Sequence, residues 1–214
     1  MIGEDAARLR REYETDGLVE ASLAADPFQE FESWFAGALT AGIHEPNAFV
    51  LATVDADGAP SARAVLMKEF GTHGLTFYTG MASRKSRALR ANPRAAATFV
   101  WTTLHRQVRF EGVVREVAPN VADDYFATRP RGAQIAAHAS HQSEVVPRRE
   151  TLDERFVELS AQFGEAPIPR PEWWGGWVLA PSSVEFWQGR PNRFHDRVLY
   201  SVGDEGWSKE RLAP

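Results

Sequence analysis

The 214-residue chain contains no cysteine, which excludes disulfide scaffolds, thiol nucleophiles and thiolate metal sites together. No apolar run approaches the roughly 18 residues of a membrane-spanning helix. A positive excess is lacking too: 24 Lys and Arg against 29 Asp and Glu leave a formal charge of −5. Such a chain has no overall field to attract nucleic acid or an anionic membrane, so neither is expected as a partner. Any anion it binds must sit in a local basic pocket. The segment from Met1 to Arg11 is charged and carries no apolar stretch of signal-peptide type, and a cytoplasmic protein is expected. Common catalytic signatures are also missing: there is no G-x-G-x-x-G after a strand, no phosphate-binding Walker loop, no G-x-S-x-G and no H-E-x-x-H. His138 and His141 are close in sequence but have no further ligands near them, so no metal site is expected.

What is present is 43% hydrophobic residues, enough for a packed core over a length suited to one generous domain. Residues 1–25 read as a polar N-terminal arm carrying the cluster Arg10-Arg11-Glu12-Tyr13. Asp26 and Pro27 open a helix, as cap and first-turn residue, with Phe28, Phe31, Trp34, Phe35 and Leu39 on one face as core. From residue 48 the pattern becomes β: strands over 48–54 and 61–70 form a hairpin about a turn at 55–58, and another strand follows at 75–79. Ser83 caps a short basic helix to residue 91, before strands at 95–101 and 107–117. Helices are expected over 121–128, from about 134 and over 152–163, the last with Phe156, Leu159 and Phe163 on one side. Strands return at 176–180, 183–187, 197–202 and 207–211. The expected fold is mainly β with α: one antiparallel, Greek-key-like barrel with packed helices over 26–214.

Cations recur at ordered positions. Arg63 and Lys68 share a strand, Arg84 and Lys85 open the helix after Ser83, and Arg129 and Arg131 bracket Pro130. On a chain of net negative charge this placement suggests a phosphate site, because a helix start adds unpaired N–H donors and a favourable dipole.

The words around those cations are more specific. In order they are Arg63-Ala-Val-Leu-Met-Lys68, Phe77-Tyr78-Thr79, Ser83-Arg84-Lys85, Arg106-Gln107-Val108, Tyr125-Phe126-Ala127-Thr128-Arg129-Pro130-Arg131, Gln142-Ser143, Glu185-Phe186-Trp187-Gln188-Gly189 and Arg193-Phe194-His195-Asp196-Arg197. From about Arg10 to the C-terminus the chain closely resembles the pyridoxamine/pyridoxine 5′-phosphate oxidase family. The resemblance implies a homodimeric split β-barrel with FMN at the subunit interface and a C-terminal dimerisation region. It implies oxidation of pyridoxamine or pyridoxine 5′-phosphate to pyridoxal 5′-phosphate, with O₂ reduced to hydrogen peroxide.

By motif, FMN would be held by Arg63, Ala64, Val65, Leu66, Met67 and Lys68, by Tyr78, Thr79, Arg84, Lys85, Gln107, Gln142 and Ser143, and by Trp187 and Arg197. The phosphorylated pyridine substrate would meet Lys68, Tyr125 and Arg129 at its phosphate. Arg193 and His195, as catalytic residues, would orient its C4′ carbon against the flavin. Arg10 and Tyr13 match the family's arm over the occupied site, and would act as a lid. Two positions depart from the family pattern: Ala133 stands where a serine usually adds a hydroxyl to the substrate phosphate, and Phe194 replaces a leucine. These departures suit an alternative, a related flavin oxidase acting on a reduced polycyclic intermediate of phenazine-type metabolism.

Overall fold

A computed structural model describes Tyr13, Thr15 and residues 17–214. Arg10 and its neighbour Arg11, assigned to the lid, lie outside the described residues. The helices are α1 (Pro27–Thr40), α2 (Arg84–Ala91), α3 (Pro119–Ala127), α4 (Arg131–Ala139) and α5 (Arg149–Phe163). The strands are β1 (Ala48–Val54), β2 (Pro60–Leu66), β3 (Glu69–Gly71), β4 (Gly74–Gly80), β5 (Arg94–Trp101), β6 (Arg106–Glu116), β7 (Trp174–Gln188), β8 (Asp196–Gly203) and β9 (Gly206–Leu212). Their hydrogen-bonded order is β2-β1-β5-β6-β7-β4-β3, with β8 joined to β7 and β9 to β8. The antiparallel, mainly β class with packed helices is the one expected.

The chain packs as two compact units. Of the described residues, one unit comprises Tyr13, Thr15, 17–49, 97–111 and 182–214, the other 50–96 and 112–181. In the first, Asp26 caps α1 by accepting from the Phe28 N–H at 2.8 Å, and Phe28, Phe31, Trp34 and Ala38 are buried. Phe31 centres an aromatic cluster, 5.0 Å from the rings of Phe99 and Phe110. Leu39 was expected on this face but is 57% exposed. It falls at the edge of the stripe, about a quarter turn from the line through Phe31 and Ala38, because successive residues rotate by about 100°.

In the second unit, Ser83 caps α2 through Ser86 N, as expected. Phe126, Ile135, Ile168 and Trp174 form a core against which Leu159 and Phe163 of α5 pack. Two strand expectations change. The single run over 61–70 breaks at Met67-Lys68, where the Lys68 N–H turns to the Thr76 carbonyl at 2.9 Å and the chain passes from β2 into the β3–β4 hairpin. Conversely, the runs at 176–180 and 183–187 are one 15-residue strand, β7. It pairs with β4 up to Leu179 and with β8 from Ser183. Pro181, which has no N–H to offer, falls where neither of those ladders needs one.

Candidate active site

In the unit containing 50–96 and 112–181, β2 and the start of α2 carry one group of cations. Arg63 donates from Nη1 to the Leu51 carbonyl at 3.0 Å and to Thr53 Oγ1 at 2.9 Å, and from Nη2 to Ser61 Oγ at 2.6 Å. Lys85 is buried. Its Nζ donates to Thr79 Oγ1 at 3.0 Å and to Gln142 Oε1 at 2.9 Å, both neutral oxygens. Gln142 is itself fixed by donors from Thr79 Oγ1 and the Gly80 N–H, at 2.7 and 3.2 Å. Burial, with help from the nearby Arg63 charge, pushes the Lys85 ammonium down to about 8. Burial and the Arg84 charge likewise lower the proton affinity of Arg63. Both cations are desolvated and neither forms an ion pair with a carboxylate among the described residues; Asp55 favours the Arg63 charge but is itself paired with Arg84, and an anion would complete the arrangement. Beside them, Arg84 pairs with Asp55 at 3.0 Å, and its N–H donates to Ser143 Oγ at 3.2 Å.

A cavity of about 550 Å³ in the same unit is lined by Lys68, Tyr78, Tyr125, Arg129, Ala133 and Trp174, with Leu66, Thr79 and Gln142 also on its wall. Tyr125 comes from α3 and stacks on Tyr78 at 3.9 Å and 7°. Arg129 leaves the end of α3 with its guanidinium 4.7 Å from the Trp174 ring centre. Both Arg129 Nη1 and the Tyr78 hydroxyl are buried without a hydrogen-bond partner. Burial lowers the proton affinity of Arg129 and raises the pKa of Tyr125, and it pushes Tyr78 up to about 12. Both phenols therefore stay protonated near neutral pH and can donate. The cavity thus offers an ammonium, a guanidinium and phenol donors, a set that matches a phosphate. Ala133 brings no polar group to it. Ala64, Val65 and Met67 complete the backbone of the 63–68 segment, Ala64 exposed and Met67 buried.

The unit containing 97–111 and 182–214 gathers the remaining candidates. Trp187 lies 4.7 Å from the His195 ring, and the Tyr13 ring lies tilted 4.2 Å from His105 and 5.8 Å from His195. The Arg190 N–H donates to His195 Nδ1 at 3.1 Å. That donor leaves the neutral ring with its proton on Nε2. Burial and the Arg193 charge hold the His195 pKa below its ordinary value, which favours this neutral, Nε2–H form. Arg193 is exposed, and it and Asn192 adopt positive φ of 64° and 57°, a backbone state that costs non-glycine residues about 1 kcal/mol or more each. Arg197 forms a two-bond pair with the buried Glu185, at 2.7 and 3.1 Å, which raises the proton affinity of its guanidinium. Gln107 is half-buried on β6.

The motifs do not mark Trp174, Asp55 or Thr53, and Glu185 stands in one of them with no role assigned to it; each meets its partner only through tertiary packing. His138 and His141 pack beside Trp173, at 6.0 and 4.5 Å. No helix among the described residues is long and apolar enough to cross a membrane.

Residues 35–163 match the family profile described as pyridoxamine 5′-phosphate oxidase, and residues 174–214 match that of the pyridoxine 5′-phosphate oxidase C-terminal dimerisation region. The chain is 51% identical over 210 residues to a pyridoxine/pyridoxamine 5′-phosphate oxidase of Rubrobacter xylanophilus, covering 98% of this chain and 97% of that protein. It is 52% identical to the protein of that name from Cupriavidus taiwanensis, covering 97% and 98% of the two chains. Among solved structures it is similar to PhzG from Burkholderia lata in complex with tetrahydrophenazine-1-carboxylic acid, with a TM-score of 0.88, 29% identity, and coverage of 94% of this chain and 100% of that one. By these matches, the chain belongs to the pyridoxamine 5′-phosphate oxidase family.

Proposed function

We propose that the protein is a homodimeric, FMN-dependent pyridoxal 5′-phosphate synthase of the cytoplasm, oxidising pyridoxamine or pyridoxine 5′-phosphate with O₂ as acceptor. The observation that carries this reading is the unpartnered, buried Nη1 of Arg129 in a cavity shared with Lys68 and Tyr125, a set of donors suited to an anion. A phosphate dianion would take two or more charge-assisted hydrogen bonds there, each worth about 1.5–3 kcal/mol.

The residues also fit FMN. Lys85 and Arg63 would hold its phosphate, which offsets the burial, and the neighbouring positive charges, that lower their proton affinities. Arg84, Thr79, Tyr78, Gln107, Gln142 and Ser143, with the segment from Ala64 to Lys68, would hold the rest, together with Trp187 and Arg197. When bound, FMN supplies the two-electron oxidation and delivers the electrons to O₂ as hydrogen peroxide. The chain's own part is placement. Arg193, on its strained backbone, and His195, kept neutral with Nε2–H outward from the Arg190 bond, would orient C4′ of the pyridine. Such orientation removes much of the entropic barrier. Arg10 and Tyr13, in an arm over residues 1–25, would close on the occupied site, and Tyr13 already packs on His105.

Anaerobic addition of pyridoxamine 5′-phosphate to the flavin-loaded protein tests the reading. The visible flavin absorbance is expected to bleach, and to bleach far more readily than with pyridoxamine lacking the phosphate. Equal responses to both would overturn it. One observation favours a second reading: the wall beside Arg129 is small and apolar at Ala133, Ala136 and Ala137, room that a reduced polycyclic substrate could use. The structural likeness to PhzG points the same way. Oxidation of such a compound in preference to the vitamin phosphates would establish it.

A further inference from the structure

Arg129 is held in an unusual way. Arginines drawn out of water are commonly fixed by carboxylates, yet the half-buried Arg129, whose Nη1 is fully buried, forms no ion pair among the described residues. Two aromatic faces take that place: Trp174, with the guanidinium carbon 4.7 Å from its ring centre, and Phe126, at 5.4 Å. A carboxylate would fix the arginine but neutralise it. A ring face attracts the cation through its quadrupole and adds no net charge, so the positive field stays available to a ligand.

Trp174 is set to do this. It opens β7 opposite Gly80, its carbonyl accepts from Arg170 Nη1 at 2.6 Å, and its N–H donates to the Pro171 carbonyl at 3.0 Å. The ring is 8% exposed and braced edge-on by Phe126 at 5.1 Å. It also lies parallel to Tyr125, at 6.2 Å and 3°, with Tyr78 stacked in the same orientation at 5.5 Å from Trp174.

We infer that Trp174 is a positioning residue for substrate phosphate recognition: its ring holds the Arg129 guanidinium without neutralising it and, through the parallel stack with Tyr78, sets the angle of Tyr125. This rests on the phosphate-socket reading of the cavity. A shelf of this kind acts on ground-state binding of the phosphate end, so its loss raises KM with little effect on kcat. A residue that merely filled the core would disturb phosphorylated and unphosphorylated substrates alike.

The test uses the flavin-loaded full chain with Trp174→Leu and Trp174→Phe. For pyridoxine 5′-phosphate, Trp174→Leu is expected to raise KM about tenfold and to change kcat less than threefold, while kcat/KM for unphosphorylated pyridoxine stays within twofold. Trp174→Phe, which keeps a ring face, is expected to recover KM to within about threefold of the native value. Parallel losses for both substrates, or a Trp174→Leu variant with native KM, would overturn the inference. Should Trp174→Leu fail to fold, Trp174→Met, which also removes the ring, decides: a KM rise confined to the phosphorylated substrate supports the shelf, and native KM or an equal effect on both substrates overturns it. If the native protein itself shows no preference for the phosphorylated form, it is the socket reading that has failed, independently of Trp174.

Discussion

Lys85 exchanges protons near the upper end of the physiological range because burial and Arg63 lower its pKa from 10.5 to about 8. Below pH 8 it is cationic and suited to a phosphate; above it, the folded protein without ligand loses that charge, although an unfolded chain would keep it to about pH 10.5. The sign for ligand binding follows: FMN affinity is expected to hold up to about pH 8 and then to weaken, by up to about tenfold per pH unit, since the cation must first be recharged. Lys85→Met is expected to weaken FMN binding by about 10–100-fold, the value of one charged hydrogen bond, and to abolish the pH dependence. Quenching of flavin fluorescence from pH 7 to 9.5 checks both, and a flat native profile would remove Lys85 from the phosphate site. Ala133 permits the converse experiment. Because it lines the cavity with Arg129, Ala133→Ser is expected to lower KM for pyridoxine 5′-phosphate about fivefold or more and leave unphosphorylated pyridoxine unchanged; steady-state kinetics with the two substrates reads this directly. The site's cations were legible in the sequence because they sit in short motifs. Their supports were not: Thr53 reaches Arg63 across paired strands, and Glu185 reaches Arg197 only once β7 and β8 lie side by side. No local pattern encodes such partners.

Secondary elements were legible where local chemistry sets their ends. Asp26 with Pro27 and Ser83 with Ser86 fixed two helix starts. Strand limits depend on partners instead, so β2 stops where Lys68 finds the Thr76 carbonyl, and β7 continues through Pro181 because its pairing changes there. The β3–β4 turn places a strong demand on one residue. Gly74 has φ of +116°, and a Cβ there would stand 2.0 Å from the Leu179 carbonyl oxygen. Gly58, with φ of +86° in the turn after β1, would meet nothing within 4 Å. Gly58→Ala should therefore cost about 1–2 kcal/mol of backbone strain. Gly74→Ala adds a steric conflict of about 1–3 kcal/mol or more and should be the more damaging by at least that margin. Urea unfolding of the two variants compares them, and equal midpoints would mean that β4 shifts away from β7 without penalty.

At the scale of the whole molecule, a net charge of −5 coexists with arginines and lysines that face cavities or hold one another's neighbours in place, and this arrangement favours anionic ligands only where the protein shapes a pocket for them. The region matching the family's dimerisation profile, 174–214, contains Trp187, Arg193, His195 and Arg197, all candidates for the flavin and substrate. If a partner subunit completes the flavin site with residues of this region, then binding and assembly are linked, and each must strengthen the other by the same factor. Each FMN bound is expected to tighten the dimer by the factor by which dimerisation tightens that FMN. Sedimentation over a dilution series should show a species of about twice 23.9 kDa that persists to lower protein concentration with FMN than without, together with release of flavin as the dimer dissociates. A monomer that retains FMN with an affinity independent of protein concentration would place the whole flavin site within one chain, and Arg197, already paired with Glu185 at 2.7 Å, would then serve the fold of its own subunit.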